Sequence, residues 1–369
     1  MRHSAVKFLF FLVAVLTGLP VFGLSLSYSA EGYTGAFKNR LKNWGLVNAE
    51  AQSHIHAVDA WQIEEGSRQV IVAVIDTGID PKHRSLSANL WHESKNPIYG
   101  WNFVTNTPNP SDVHGHGTHV SGIIGALADP SSGVSGVAHR VSIMPIKYYS
   151  EANPGSVNLQ NTVRAINWAV DHGARIINYS GGGPEFSKDE YAAIKKAEAK
   201  GVLFVAAAGN EHQNTDQTEN FYYPSAYRLS NILSVAATDI HNNLLPSSNW
   251  GKKTVDVSAP GENIFSTLPS GKFGYMTGTS QATAFVTGLA ALLLAHDPSL
   301  TPQGIKQIIV SSVDSLPQLK EKLVSGGRVN AYQALLALNR KKKDNTSSQA
   351  FVAARQPFSL PNTLMISEP

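Results

Sequence analysis

Gln69-Val-Ile-Val-Ala-Val-Ile-Asp-Thr-Gly-Ile-Asp80 is the stretch that decides the fold. Every residue from Val70 to Ile75 is apolar, with no polar residue at alternate positions. Such a run suits a strand buried on both faces, as in a parallel sheet covered by helices, and it ends on Asp76. Short, nearly continuous apolar runs follow at Val141–Ile146, Ala174–Tyr179, Val202–Ala208, Ile232–Ala237 and Val255–Val257. Helical patterns lie between them. Leu159, Val163, Ile166 and Ala169 recur at helical spacing, and Gly173 follows as a stop. Ser187 with Glu190 three residues later reads as a capping box, and Gly201 ends that helix. Thr301-Pro302 opens another, with proline in its favoured first turn. This alternation predicts an α/β fold of three layers, α/β/α, with a mostly parallel central sheet and right-handed crossovers.

The bulk numbers agree with a folded chain. Of 369 residues, 42% are hydrophobic and 15% charged, which argues against long disorder. A net charge of +3 is too small to argue for a nucleic-acid partner. The absence of cysteine excludes disulfides, thiolate nucleophiles, Cys-ligated zinc and iron–sulfur clusters, and leaves the compartment open.

The ends differ in character from the middle. Arg2, His3 and Lys7 precede the apolar run Phe8 to Phe22 and the small-residue stretch Gly23-Leu-Ser-Leu-Ser27. A basic head, a short apolar core and small residues read as a secretory signal peptide over 1–27, cleaved between Gly23 and Ala30. An uncleaved anchor helix is the alternative; Pro20 and a run shorter than the roughly 20 residues that span a bilayer count against it. After a short extension over 28–40, one domain is expected over 41–340. The basic and polar tail 341–369, with Pro357 and Pro361, reads as a solvated end. No later segment is apolar enough to span, so no membrane contact is expected after signal cleavage, and the chain is expected to be a monomer.

Three segments carry chemistry, each ambiguous alone. Asp76, directly after a buried strand, stands at the carboxyl end of the sheet, where open α/β folds place their sites. Asp-Thr-Gly also occurs in aspartic proteases, but the second copy they need is missing. Asp112-Val-His-Gly-His-Gly-Thr-His-Val-Ser-Gly122 offers His114, His116 and His119 either to a metal or to acid–base work. In Met276-Thr-Gly-Thr-Ser-Gln-Ala-Thr-Ala-Phe-Val-Thr-Gly288, Ser280 enters a long apolar helix. It is there either an N-cap or a nucleophile favoured by free N–H groups and the helix dipole.

Taken in chain order, Asp76, His116 and Ser280 in these frames resemble the subtilisin-like serine peptidase family, from about Trp44 to Leu338. Val205-Ala-Ala-Ala-Gly-Asn210 resembles that family's oxyanion-hole stretch. The resemblance implies a secreted serine endopeptidase with Asp76, His116 and Ser280 as catalytic triad and Asn210 in the oxyanion hole. His119 and Thr77 match structural positions. Asn178-Tyr-Ser-Gly-Gly-Gly-Pro184 looks like the strand that pairs with extended protein or peptide substrates, so Ser180 and Gly182 would line the groove. Main-chain pairing implies broad specificity. No cofactor is required for this chemistry, and no catalytic metal is implied.

The departures from the family carry expectations of their own. Gln281, Ala284 and Phe285 replace a usual Met, Pro and His around the nucleophile. Ser85 and Pro130 replace two side-chain ligands of the family's strong calcium loop, so that site is expected to be weak or absent unless Asp129 compensates. Tyr222 falls where the floor of the P1 pocket is often small, and excludes large P1 side chains if its ring points inward. Glu211, beside Asn210, would mildly favour a basic P1. The short stretch before Trp44 leaves no room for the pro-domain that many secreted relatives carry. Two other readings compete: a non-catalytic binding protein of the same fold, and a metal hydrolase using His114, His116 and His119.

Overall fold

The computed structural model describes residues 38–48, 52–93 and 98–353, with side chains only to residue 342 in the last helix. The expected signal peptide, most of the extension and residues 354–369 lie outside them. Eleven strands and seven helices are seen among the described residues. The strands are β1 (Gly66–Asp76), β2 (Trp101–Asn102), β3 (Arg140–Lys147), β4 (Ile176–Tyr179), β5 (Leu203–Ala207), β6 (Ile232–Thr238), β7 (Val257–Pro260), β8 (Ile264–Leu268), β9 (Lys272–Met276), β10 (Asp314–Ser315) and β11 (Gly327–Arg328). The helices are α1 (Ala57–Ala60), α2 (His116–Gly125), α3 (Gly155–Asp171), α4 (Lys188–Ala199), α5 (Thr279–His296), α6 (Pro302–Ser311) and α7 (Ala331–Ala353).

Nine strands form one sheet in the order β10-β11-β7-β6-β5-β4-β1-β3-β2. All its pairs are parallel except β10 with β11. The apolar run after Gln69 is central: β1 pairs with β3 on one side (Val74↔Pro145) and with β4 on the other (Val74↔Asn178). Its side chains alternate between two cores. Val72 and Val74 face the layer that holds Ile124 of α2 and Leu289 of α5, while Ala73 and Ile75 pack with Ile166 of α3 and Ile194 of α4. Both faces are covered, which is why the strand carries no polar alternation. The expected three-layer α/β/α architecture is the one observed.

The long helix α5 is buried from Thr279 to Leu294 and runs under β1, β4, β5, β6 and β7. Truncating one of its aliphatic residues, such as Leu292, would leave a cavity worth about 2–5 kcal/mol.

Several expectations shift in detail. The run at Val255–Val257 is the approach to β7, which pairs from Val257 onward. The hairpin β8–β9 carries mixed polar residues and shows no apolar run. Helix α7 continues past Arg340, where the domain was expected to close; its Ala, Leu and Lys content favours helix, with no Gly or Pro before Pro357. No helix among the described residues is long and apolar enough to cross a membrane.

Candidate active site

Asp76 is the last residue of β1, held by β3 and β4 on either side and only 4% exposed. Its Oδ1 accepts the backbone N–H of Thr77 and the Nδ1–H of His116, both at 2.7 Å. His116 opens α2. The helix start is drawn onto the end of β1 through Gly117, where a Cβ would lie 2.2 Å from the carbonyl oxygen of Gly78. Burial disfavours the imidazolium of His116, but the charge of Asp76 and the hydrogen bond to it outweigh this and raise its pKa.

Asp112 organises the loop that presents this histidine. Its Oδ1 accepts from the amides of His114 and Gly115 and from the Thr77 hydroxyl; its Oδ2 accepts from the amide and hydroxyl of Thr118. Burial opposes ionisation, yet these donors hold the carboxyl below its ordinary pKa. The Thr77 hydroxyl in turn accepts the N–H of Gly117 at 2.9 Å. Asp112 was quoted in the sequence but given no role there. Its signal is the loop conformation, which brings amides two, three and six residues ahead back onto one carboxylate.

Ser280 lies in the first turn of α5, buried to 7% exposure, with its Oγ 3.4 Å from the carbonyl oxygen of Ser180, to which it donates. It is not the N-cap. Gly278 takes that place at φ +152°, a backbone conformation that L side chains rarely adopt. Asn210, past the end of β5, accepts from the Thr279 amide at 2.9 Å and from its hydroxyl at 3.2 Å. Asp76, Asn210 and the Ser180 segment thus all follow the carboxyl ends of parallel strands, at the place where α2 and α5 begin.

Ser180 and Gly182 lie on the segment leaving β4, and Gly183 exchanges backbone hydrogen bonds with Tyr223 at 3.0 and 2.8 Å. The ring of Tyr222 points inward between two glycines. A Cβ on Gly182 would sit 2.4 Å from its Cε1, and one on Gly209 3.0 Å from its Cδ2. Glu211 is engaged elsewhere: Asn249 donates to its Oε2 at 2.6 Å and accepts its amide at 3.1 Å. That pairing fixes the position of the carboxylate and leaves its charge in place.

The three histidines of the 114–119 segment do not converge. His114 is exposed, 3.5 Å from Glu151 Oε1; His119 is buried, with Nε2 3.3 Å from the Gly274 carbonyl, and desolvation lowers its pKa to about 4. Among the described residues no group of three His, Asp or Glu could hold a metal. In the loop of the expected calcium site, Asp129 accepts from Ser131 at 2.6 Å and Ser132 at 2.8 Å and pairs with Arg84 at 3.3 Å.

The substituted positions behind the nucleophile are packed. Phe285 is fully buried against Gly45 and Ala284 is buried, while the buried Gln281 keeps an Nε2 with no hydrogen-bond partner.

This frame, with acid, imidazole and hydroxyl at the carboxyl edge of one parallel sheet, belongs to a class of serine endopeptidases. The sequence profile of the Subtilase family matches residues 67–352. Thermitase of Thermoactinomyces vulgaris is 36% identical over 281 residues, covering 76% of this chain and 93% of its own. The major intracellular serine protease of Bacillus subtilis is 38% identical over 247 residues, covering 66% and 74%. A solved structure of proteases from Pseudoalteromonas arctica superposes with a TM-score of 0.69 at 26% identity, covering 81% of this chain and 98% of its own. The chain belongs to the subtilase family, and it is a serine endopeptidase of that family.

Proposed function

We propose that this chain is an exported endopeptidase that works through an acyl-enzyme, with Ser280 as nucleophile. His116 Nε2 takes the Ser280 proton as Oγ attacks the peptide carbonyl carbon. The carbonyl π electrons move to oxygen, where the Asn210 side-chain amide and the Ser280 backbone N–H donate to them. Collapse breaks the C–N bond, and His116 delivers its proton to the leaving amine. Water then attacks the acyl ester with His116 again as base, releasing the acid and restoring Ser280. Asp76 holds the ring in the tautomer that leaves Nε2 free and stabilises its charged form. The observation that carries this reading is the 2.7 Å bond from His116 Nδ1 to a carboxylate fixed at a strand end.

Substrate is taken as an extended strand along Ser180–Gly183, so most positions are read through the main chain and tolerate many side chains. P1 is an exception. With Tyr222 packed over Gly182 and Gly209, small P1 side chains are favoured. The engaged carboxylate of Asp129 and the residues Ser85 and Pro130 favour a weak or absent calcium site in this loop.

Export rests on residues 1–27, and it places the mature enzyme outside the cytoplasm, in the periplasm, at the cell surface or in the medium. N-terminal sequencing of the mature chain tests this: a start between Gly23 and Ala30 supports it, and an intact Met1 overturns it. The catalytic reading is tested by hydrolysis of casein by the purified chain beside Ser280→Ala, with and without a serine-directed covalent inhibitor. Activity that vanishes in both controls supports it. Activity that persists in Ser280→Ala overturns it.

A further inference from the structure

Glu190, in the first turn of α4, is a buried acid that the triad does not use; it is 3% exposed. A capping box would turn its carboxyl back to the amide of Ser187. Only half of that box forms. The Ser187 hydroxyl accepts from the Glu190 amide at 3.2 Å, but the Ser187 amide donates to the Tyr227 hydroxyl, also at 3.2 Å. The Glu190 side chain turns inward instead, where its Oε2 accepts from Tyr227 at 2.8 Å and no described residue bonds its Oε1. Burial raises its pKa to about 7.

The carboxyl lines a cavity of about 560 Å³ between α3, α4 and the segment leaving β4. Four tyrosines (148, 149, 179 and 223) and a second carboxylate, Glu185, share the lining, and no Lys, Arg or His does. Aromatic faces and carboxylates around an otherwise uncharged space suit a cation. Gly182 and Gly183 form one wall, on the same segment whose Ser180 carbonyl touches the Ser280 hydroxyl. At about 3.3 Å per residue of extended chain, a substrate paired there would offer the cavity a side chain some two to four residues from the scissile bond.

We propose that this cavity is a specificity pocket for a lysine or arginine side chain of the substrate, with Glu190 as the residue that selects it. A bound cation satisfies the free Oε1 and favours the ionised carboxylate; a neutral polar side chain brings no charge to it, and an apolar one leaves that oxygen without a partner. The proposal deepens the peptidase reading and rests on it.

The test is cleavage-site profiling of the mature enzyme on a random peptide library, then rates on a peptide pair differing only in arginine or citrulline at the enriched position. Citrulline keeps the shape and loses the charge. Lys and Arg should be enriched at one position two to four residues from the cut, with kcat/KM about 10- to 100-fold lower for citrulline. Glu190→Gln should reduce that ratio to within about threefold, with the loss falling on the arginine peptide. The wild-type profile and the peptide pair decide the matter even should Glu190→Gln not fold. Hydrolysis with no basic enrichment, equal rates on the pair, or a preference that survives Glu190→Gln would overturn this proposal alone. No hydrolysis of any peptide and no labelling of Ser280 would overturn the peptidase reading, and this one with it.

Discussion

Asn210 Oδ1 accepts the backbone N–H of Thr279 at 2.9 Å, which ties the amide after β5 to the helix that carries Ser280. An N–H needs an oxygen, so this bond fixes which end of the amide faces the helix and leaves Nδ2 for the substrate carbonyl. Asn210→Asp keeps the acceptor for Thr279 and removes the donor. It should therefore fold, bind substrate with little change in KM, and lose about 10²–10³ in kcat, the effect known for such a donor in a subtilisin. Steady-state kinetics check this, and a raised KM with unchanged kcat would speak against it.

The pairing of His116 with Asp76 sets a pH dependence. Catalysis needs His116 neutral, and its pKa lies above the ordinary histidine value because Asp76 favours the charged ring. The base form therefore accumulates only as pH rises through that elevated value. The acid limb of kcat/KM should accordingly fall above pH 6.5. Asp76→Asn removes the charge and the tautomer control, and should lower kcat by about 10⁴. A pH–rate profile with its limb below pH 6 would contradict the pairing.

Tyr222 sets a steric expectation at P1. Replacing it with glycine frees the space between Gly182 and Gly209, so kcat/KM for peptides with Phe at P1 should rise by roughly 10–200-fold relative to Ala at P1. A P1 profile unchanged by Tyr222→Gly, or a strong wild-type preference for Phe or Leu, would count against the narrow pocket.

Asp112 carries an expectation about stability. Its folded pKa is depressed, so its contribution is fully present above the unfolded carboxylate value near 4 and is lost as pH falls through the lower folded value. Asp112→Asn loses the charge from several buried hydrogen bonds and should cost about 2–4 kcal/mol at neutral pH, with the loss shrinking towards acid. Denaturant unfolding at pH 7 and pH 3 measures both. A cost that stayed constant or grew towards acid would refute the linkage.

How far the sequence could be read follows from where its signals were local. The buried strand after Gln69 was legible because two-sided burial leaves an uninterrupted apolar run, and the acid at its end marked the sheet edge. Thr301 and Gly173 announced helix ends by residue type alone. Other features depended on contacts between distant segments. Hairpin β8–β9 has no apolar run, yet Ser266 and Thr267 donate to the carbonyls of His119 and Thr118 and so brace α2 from the side. Whether Tyr222 pointed in or out was open until Gly182 and Gly209 were seen on either side of its ring. Glu190 was misleading: its spacing from Ser187 fits a capping box, but the hydroxyl of Tyr227, 37 residues away in sequence, turns the carboxyl inward.

The central claim is that Ser280 is a nucleophile activated by His116. The most direct measurement is covalent labelling of the purified chain by a fluorophosphonate, followed by peptide mass mapping, for wild type and His116→Ala side by side. One label on Ser280, slowed by at least about 10³-fold in His116→Ala, is the expected result. Labelling at another serine, or labelling of Ser280 at an unchanged rate without His116, would contradict it.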